Sequence, residues 1–268
     1  MSQRRHFKCI FCGQGNLSKE HVWPNWMREY FPRTEVTGHT LEVHRAKGKT
    51  RVYESEKTER QGHLSTTKLR VVCSDCNNVW MNQLEVSAKP ILVSIFQEKE
   101  LAMDLNRQAV LARWIAMKSI VLEHSQVNEH ITPYEDRSRL RIDDEIPGYM
   151  SIYIGRYSDS DGSSLLKHSA TFSANEAGPS PPLEGRTRNV QTVAMIIGDL
   201  FVFVLTARVD NVDLAKFFDS SPVTRLWPLG SHIIRWPLPR IPQPTIANIA
   251  HWLEDLIQHP KVTYAGDV

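Results

Sequence analysis

The chain of 268 residues has few cysteines, no internal repeat and no long apolar run. The longest apolar run, Val193 to Leu205, is interrupted by Gly198 and Asp199 and is too short to span a bilayer. The first eight residues lack the apolar core of a signal peptide. We therefore expect a cytoplasmic protein that does not enter a membrane and whose thiols stay reduced.

The overall composition is that of an ordinary soluble globular protein, with 41% hydrophobic and 23% charged residues. The charge is unevenly distributed. Residues 1–90 carry 15 lysines and arginines against 9 acidic residues, a net charge of +6, whereas residues 91–268 carry a net charge of −4. Positive charge in the first third indicates a surface for a polyanion, although a solvated surface without a partner would have the same composition.

All four cysteines occur in two Cys-x-x-Cys pairs, Cys9/Cys12 and Cys73/Cys76. A two-residue gap lets each pair bind one metal ion from a tight turn, and four thiolates are a typical tetrahedral zinc site. In a reducing compartment, metal binding explains paired cysteines better than disulfides do. The spacing predicts a structural zinc that joins two distant parts of the chain; the alternative is four buried free thiols.

A Glu20-His21-Val22-Trp23-Pro24 segment lies between the pairs, and Asn77 follows the last cysteine. Histidine suits a general base because its pKa lies near neutrality, and carboxylate or amide oxygens bind hard divalent cations. Neighbouring residues of a strand point to opposite faces, so Glu20 and His21 serve one site only if the strand twists or the substrate bridges them. The simpler alternatives are a structural histidine and a helix-capping asparagine. If Asn77 only caps the helix, Asn78 and Glu85 are the possible substitutes for it as a cation ligand.

Together, the two cysteine pairs, the Glu-His-x-x-Pro motif and the asparagine resemble the HNH endonucleases (the ββα-metal or His-Me finger family), in particular the type with a four-cysteine zinc site. The resemblance covers about residues 7–88. It implies that His21 is the general base, that Glu20 and Asn77 are ligands of a catalytic Mg²⁺ or Mn²⁺, and that the cysteines bind a structural zinc without a catalytic part.

This chain departs from the family pattern at three places. The family more often has Asp or His where Glu20 stands, and it has a base-orienting asparagine about where Lys68 stands. The segment between His21 and Cys73 is also long, which implies an inserted hairpin at residues 40–46 and 50–55.

The predicted fold class is α+β. We expect an N-terminal ββα-metal (treble-clef-like) zinc-knuckle nuclease module at 1–90, a helical connector at 91–125, and a strand-rich α+β domain at 126–268 to which the sequence assigns no role. Apolar periodicity and turn residues predict the elements of these parts. They are a strand with Glu20 and His21, helical turns at 25–31, strands at 68–72, 149–156, 165–173, 190–197 and 200–207, helices at 77–89, 90–98, 105–124 and 245–258, a linker or long loop at 125–147, and a mobile loop at 175–186.

The function expected from these features is metal-dependent hydrolysis of DNA phosphodiester bonds. RNA as the substrate, and a homodimer as the active form, stay open. One alternative is a zinc-stabilised module that binds nucleic acid without catalysis, which the lysine at position 68 favours. Another is a structural adaptor in which the zinc only fastens the N-terminal part.

Overall fold

The computed structural model describes residues 8–31, 38–47, 52–61, 68–124, 130–157, 165–175, 178–180, 189–208 and 223–241. Within these ranges the chain forms three α-helices and thirteen strands in four sheets, which confirms the α+β class. None of the helices in these ranges is long and apolar enough to cross a membrane. The predicted helix at 245–258 lies outside the described residues.

The N-terminal part contains the expected two strands followed by a helix. Strand β1 (Leu17–His21) pairs antiparallel with β4 (Lys68–Cys73), and their register slips by one residue between Ser18 and Glu20. The predicted hairpin between them is present as β2 (Gly38–Lys47) and β3 (Val52–Gln61). A 3-10 turn at Asn25–Glu29 follows β1, in agreement with the predicted helical turns.

The helix after the second cysteine pair begins with a π-helical segment, Cys76–Met81, and continues as α1 (Asn82–Phe96). The predictions of a helix end before Pro90 and of a second short helix at 90–98 are both wrong, because α1 runs through Pro90. Proline removes the hydrogen bond to the carbonyl of Val86, which lies on the exposed side, where water can replace the lost donor. Packing of the apolar face on either side then keeps the helix continuous.

Helix α2 (Leu105–Glu123) is the centre of the molecule and confirms the strongest helical pattern of the sequence. Asp104 caps its start, where the carboxylate accepts a hydrogen bond from the backbone N–H of Arg107. The helix packs against α1, against strands of the C-terminal sheet and against β5 (Leu101–Met103). Its buried residues include Gln108, Lys118 and Glu123, so α2 also carries polar groups into the interior.

Helix α3 (Tyr134–Asp143) lies in the segment that the sequence predicted as a linker or long loop, and that prediction is wrong. The helix was hard to recognise because only Leu140 among its residues is buried, so it has no apolar stripe. It is fastened by polar contacts instead. The side chain of Arg137 donates a hydrogen bond to the carbonyl of Ile10, in the first cysteine turn.

The C-terminal region is built around one seven-stranded sheet. It consists of β6 (Met150–Tyr157), β7 (Leu165–Asn175), β8 (Gly178–Ser180), β9 (Val190–Ile197), β10 (Leu200–Ala207), β11 (Thr224–Trp227) and β13 (Arg240–Ile241). Its strands follow the order β11-β6-β10-β9-β7-β8, and β13 pairs parallel to β6. Gly198, at φ +57°, forms the predicted tight turn between β9 and β10. The prediction of a mobile loop at 175–186 is wrong for 178–180, which pair with β7.

One cluster of buried apolar side chains extends from both cysteine pairs through α1 and α2 to the inner face of this sheet. Strand β12 (Ile234–Trp236), which pairs with β5, contributes Ile234 and Trp236 to this cluster. The cysteine turns are therefore packed on the same core as the sheet. The domain boundaries at 90/91 and 125/126 stay predictions.

A buried carboxyl group closes the C-terminal end of α2. Glu123 accepts hydrogen bonds from the backbone N–H groups of Ile131 and Thr132 and from the Thr132 hydroxyl, the last at 2.7 Å. Burial nevertheless raises the pKa of Glu123 to about 7, because the charged form is poorly solvated. The folded protein therefore retains a proton that the unfolded chain releases at lower pH.

This shift predicts a pH-dependent loss of stability. The contribution of Glu123 is fully present below its unfolded pKa of 4.5 and is lost as the pH rises through about 7, a change of about 3 kcal/mol in the free energy of unfolding. In the Glu123→Gln variant, the free energy of unfolding measured with urea should decline less between pH 5 and pH 8 than it does in the wild type. In the exposed control Glu145→Gln, the free energy of unfolding should decline with pH as it does in the wild type. A decline in Glu123→Gln equal to that of the wild type would show that Glu123 does not cause the pH dependence.

Candidate functional site

The four cysteines come together at the junction of the two N-terminal strands and the following helix. Their sulfur atoms all lie within 4.8 Å of one another, and the Sγ atoms of Cys12 and Cys73 are 3.5 Å apart. Cys9, Cys73 and Cys76 are buried, and Cys12 is partly exposed. The arrangement could hold a metal ion such as zinc, as the sequence predicted.

Backbone hydrogen bonds shape both cysteine turns. The N–H of Gly13 donates to the carbonyl of Cys9 at 2.9 Å, and Gly13 has φ +72°, which favours glycine at this position. The N–H of Ile10 donates to the carbonyl of Val71 at 3.0 Å, so the first turn is attached to β4 just before the second pair. In the second turn, the N–H of Cys76 points at the Sγ of Cys73 at 3.4 Å, where it would stabilise a thiolate.

The thiols also influence one another's protonation. A hydrogen bond from Cys76 lowers the pKa of the Cys9 thiol to about 4, and the backbone N–H groups of Phe11 and Cys12 add to this effect. The same interaction raises the pKa of Cys76. One member of the cluster is therefore already stabilised as a thiolate, the form in which cysteine binds metal.

His21 is the last residue of β1, directly opposite Lys68 on β4. Its ring is partly buried, and among the described residues its Nδ1 atom has no hydrogen-bond partner. Burial lowers the pKa of His21, and the positive charges of Lys68 and Arg28 lower it further. The imidazole is thus neutral at neutral pH, which is the state that a general base requires.

Glu20 faces the protein interior and is ion-paired. Its Oε1 atom accepts a hydrogen bond from the Lys118 ammonium at 2.6 Å, and the two side chains are only 8% and 3% exposed. Lys118 also donates to the backbone carbonyl of His21 at 3.1 Å. Glu85 of α1 approaches the same ammonium at 3.6 Å and accepts a hydrogen bond from the indole N–H of Trp26.

Asn77 lies in the π-helical segment beside β1. Its Nδ2 atom donates to the hydroxyl oxygen of Ser18 at 3.0 Å, and that hydroxyl donates in turn to the carbonyl of Val72 at 3.3 Å. Asn77 therefore connects the start of the helix to β1 rather than capping the helix. Its side-chain oxygen, the atom proposed as a cation ligand, is not the atom that this contact uses.

Lys118, whose ammonium contacts both the Glu20 carboxylate and the His21 carbonyl, was not among the residues singled out in the sequence. A signal for Lys118 was available. It occupies the apolar stripe of α2 at helical spacing from Trp114 and Val121, where a lysine must be paired or be functional. Glu85 was considered only as a substitute cation ligand, and the structure places its carboxylate 3.6 Å from the Lys118 ammonium instead.

No protein-family model matches this chain, and no curated protein or solved structure shows significant similarity to it. The geometry of the side chains therefore carries the functional interpretation.

The buried pair of Lys118 and Glu20 predicts a strong energetic coupling. Lys118→Met leaves the Glu20 carboxylate buried without its cation and should lower the free energy of unfolding by about 3–5 kcal/mol. Glu20→Gln alone should cost less, since the Glu85 carboxylate at 3.6 Å still compensates the buried Lys118 ammonium. In the double variant most of the loss caused by Lys118→Met should be recovered. Additive effects in a urea-unfolding double-mutant cycle would show that the pair does not interact.

Proposed function

We propose that the protein hydrolyses phosphodiester bonds of DNA, with His21 as the general base, in the manner of HNH endonucleases. The observation that carries this proposal is the placement of a neutral, partly exposed imidazole at the end of β1, in a strand–strand–helix unit whose corner holds the four-cysteine cluster. The excess of positive charge in residues 1–90 supports an anionic polymer as the substrate.

The cysteine cluster suits zinc as a structural metal. Four sulfur donors are the ligand set of closed zinc sites, which keep no position open for a substrate. The cluster attaches the turn before β1 to the turn after β4, and so it fixes the two strands that present His21. We therefore assign the zinc to the stability of this unit and give it no part in the reaction.

A catalytic Mg²⁺ or Mn²⁺ fits these residues less well. Glu20 is buried against the Lys118 ammonium, and a divalent cation at that carboxylate would meet a positive charge at close range. Asn77 could still offer its side-chain oxygen. Because one of the two expected ligands is engaged, we derive no step of the reaction through a cation and leave its requirement to experiment.

In the proposed reaction, His21 accepts a proton from a water molecule, and the water oxygen attacks the phosphorus atom. The new bond from phosphorus to oxygen forms as the bond to the 3′ oxygen breaks, and that oxygen leaves with a proton from solvent. The products carry 5′-phosphate and 3′-hydroxyl ends. Since Nδ1 of His21 is enclosed, we assign the proton transfer to Nε2.

A second candidate function is binding of nucleic acid without hydrolysis. The pairing of Glu20 with Lys118 favours this candidate, because it occupies a side chain that cation-dependent hydrolysis would need. Such a module would bind DNA with an affinity that falls steeply with salt and does not respond to Mg²⁺.

The zinc assignment predicts about one zinc ion per chain, measured by atomic emission on the purified protein. Cys73→Ser should bind less zinc and unfold at a lower temperature, whereas the exposed control Ser87→Ala should behave as the wild type does. Because the chain has four cysteines and all belong to the cluster, titration with a mercurial thiol reagent should release the zinc as the thiols react. Full zinc content in Cys73→Ser would contradict the four-ligand site.

The catalytic assignment predicts that His21→Ala reduces nicking of supercoiled plasmid by at least about 100-fold, the usual loss when a general base is removed. The assay compares wild type and variant with Mg²⁺, with Mn²⁺ and with chelator. His232→Ala is the matched control, since it removes an exposed histidine elsewhere on the surface and should leave nicking unchanged.

Equal nicking by wild type and His21→Ala would exclude His21 as the base. Salt-sensitive DNA binding without nicking under any of the three conditions would instead support the non-catalytic candidate.

A further inference from the structure

A cavity beside the first cysteine pair takes no part in the hydrolysis proposed above. Its volume is about 490 Å³, within the range of about 300–1,000 Å³ that is usual for small-molecule sites. Among the described residues, no carboxylate lines the cavity. The residues that line it include Lys8, Cys9, His124, His130, Tyr134 and Arg137.

Arg137 supplies a fixed positive charge to this cavity. Its Nε donates to the carbonyl of Ile10 at 2.7 Å, and one terminal nitrogen donates to the carbonyl of Thr132 at 2.5 Å. Both partners are neutral, and no carboxylate of the described residues lies within ion-pair distance of the guanidinium. Lys8, exposed at the cavity, adds a second cation. The carboxylates of Glu123 and Glu135 act on Arg137 from a greater distance, and neither lines the cavity, so an anion bound there would still meet both cations.

Tyr134 places a hydroxyl group at the same cavity. A Cβ atom at Gly13 would lie 3.2 Å from the Tyr134 oxygen, so glycine gives the phenol room beside the cysteine turn. Tyr134 is 42% exposed, which keeps the hydroxyl available to a ligand from solvent. A hydroxyl donor next to two cations is a usual environment for phosphate oxygens.

Two stacked histidines form an aromatic wall of the cavity. The rings of His124 and His130 are nearly parallel, with their centroids 4.3 Å apart. His124 is fixed, since its Nδ1 lies 3.0 Å from the carbonyl of Ile120 and must donate to it. His130 is exposed and extends the wall outward. Flat aromatic side chains of this kind stack on nucleobases.

We propose that this cavity binds a phosphorylated nucleoside, with the phosphate between Lys8, Arg137 and the Tyr134 hydroxyl and the base against the wall that contains His130. The ligand is either a free mononucleotide or the 5′-terminal nucleotide of a nucleic acid. His21 does not line this cavity, so ligand binding here can be tested independently of the proposed hydrolase activity.

The test uses the full-length protein with its metal and isothermal titration with AMP, adenosine and orthophosphate. AMP should bind more tightly than either part alone. Lys8→Gln and Tyr134→Phe should each weaken AMP binding on the order of tenfold, the value expected for loss of one hydrogen bond to a charged group. The exposed control Lys99→Gln should bind AMP as the wild type does. His130→Ala should weaken binding of AMP but not of orthophosphate.

AMP affinity no greater than that of adenosine, or wild-type affinity in both Lys8→Gln and Tyr134→Phe, would overturn the proposal. Neither variant removes a buried group, so a loss of folding does not obscure the result. A short single-stranded oligonucleotide with and without a 5′-phosphate then identifies the source of the ligand. Preference for the phosphorylated strand supports a terminal nucleotide, and equal binding beside tight AMP binding supports a free mononucleotide. His21→Ala should bind AMP normally even if it has lost nicking.

Discussion

The Lys118 ammonium holds the candidate site together. It is buried in α2, the central helix, yet it reaches out to the Glu20 carboxylate and the His21 carbonyl on β1. Removing a charge from water is expensive, and such a lysine persists only because short, well-directed contacts compensate for the lost hydration. The strand that carries His21 is therefore fixed to the helix that also supports the C-terminal sheet. The cysteine cluster fixes the other end of the same strand.

The charges around Lys118 also assign different parts to the two acids. One ammonium faces Glu20 at 2.6 Å and Glu85 at 3.6 Å. Burial and the charge of Glu20 raise the pKa of Glu85, while Lys118 opposes that rise. Glu20 is thus the principal partner of the Lys118 ammonium. Glu85 interacts with it from a longer distance and also accepts a hydrogen bond from the indole N–H of Trp26. In this arrangement the carboxylate beside the imidazole is paired with Lys118, whereas the family resemblance implied that it is a cation ligand.

Sequence patterns that span only a few neighbouring residues predicted several of the strands and the central helix. Alternation and turn residues located β1, β4 and the hairpin of β9 and β10, and apolar periodicity located α2. Helix α1 passes through Pro90 because long-range packing outweighs one lost hydrogen bond, and α3 is fastened by Arg137 rather than by an apolar stripe. The cysteine cluster followed from spacing alone. The contact between Lys118 and Glu20 joins residues 98 positions apart, and no periodicity in one chain reports such a contact.

The electrostatics near His21 would meet two requirements of the proposed phosphodiester hydrolysis. Lys68 and Arg28 lower the pKa of the imidazole, because they make the local potential positive. The same positive potential would also attract a phosphate group. The charge of a phosphate bound there would oppose that of the lysine and the arginine, so the proposed substrate would make the imidazole more basic. The lysine that replaces the expected asparagine at position 68 would then contribute through charge rather than through a hydrogen bond.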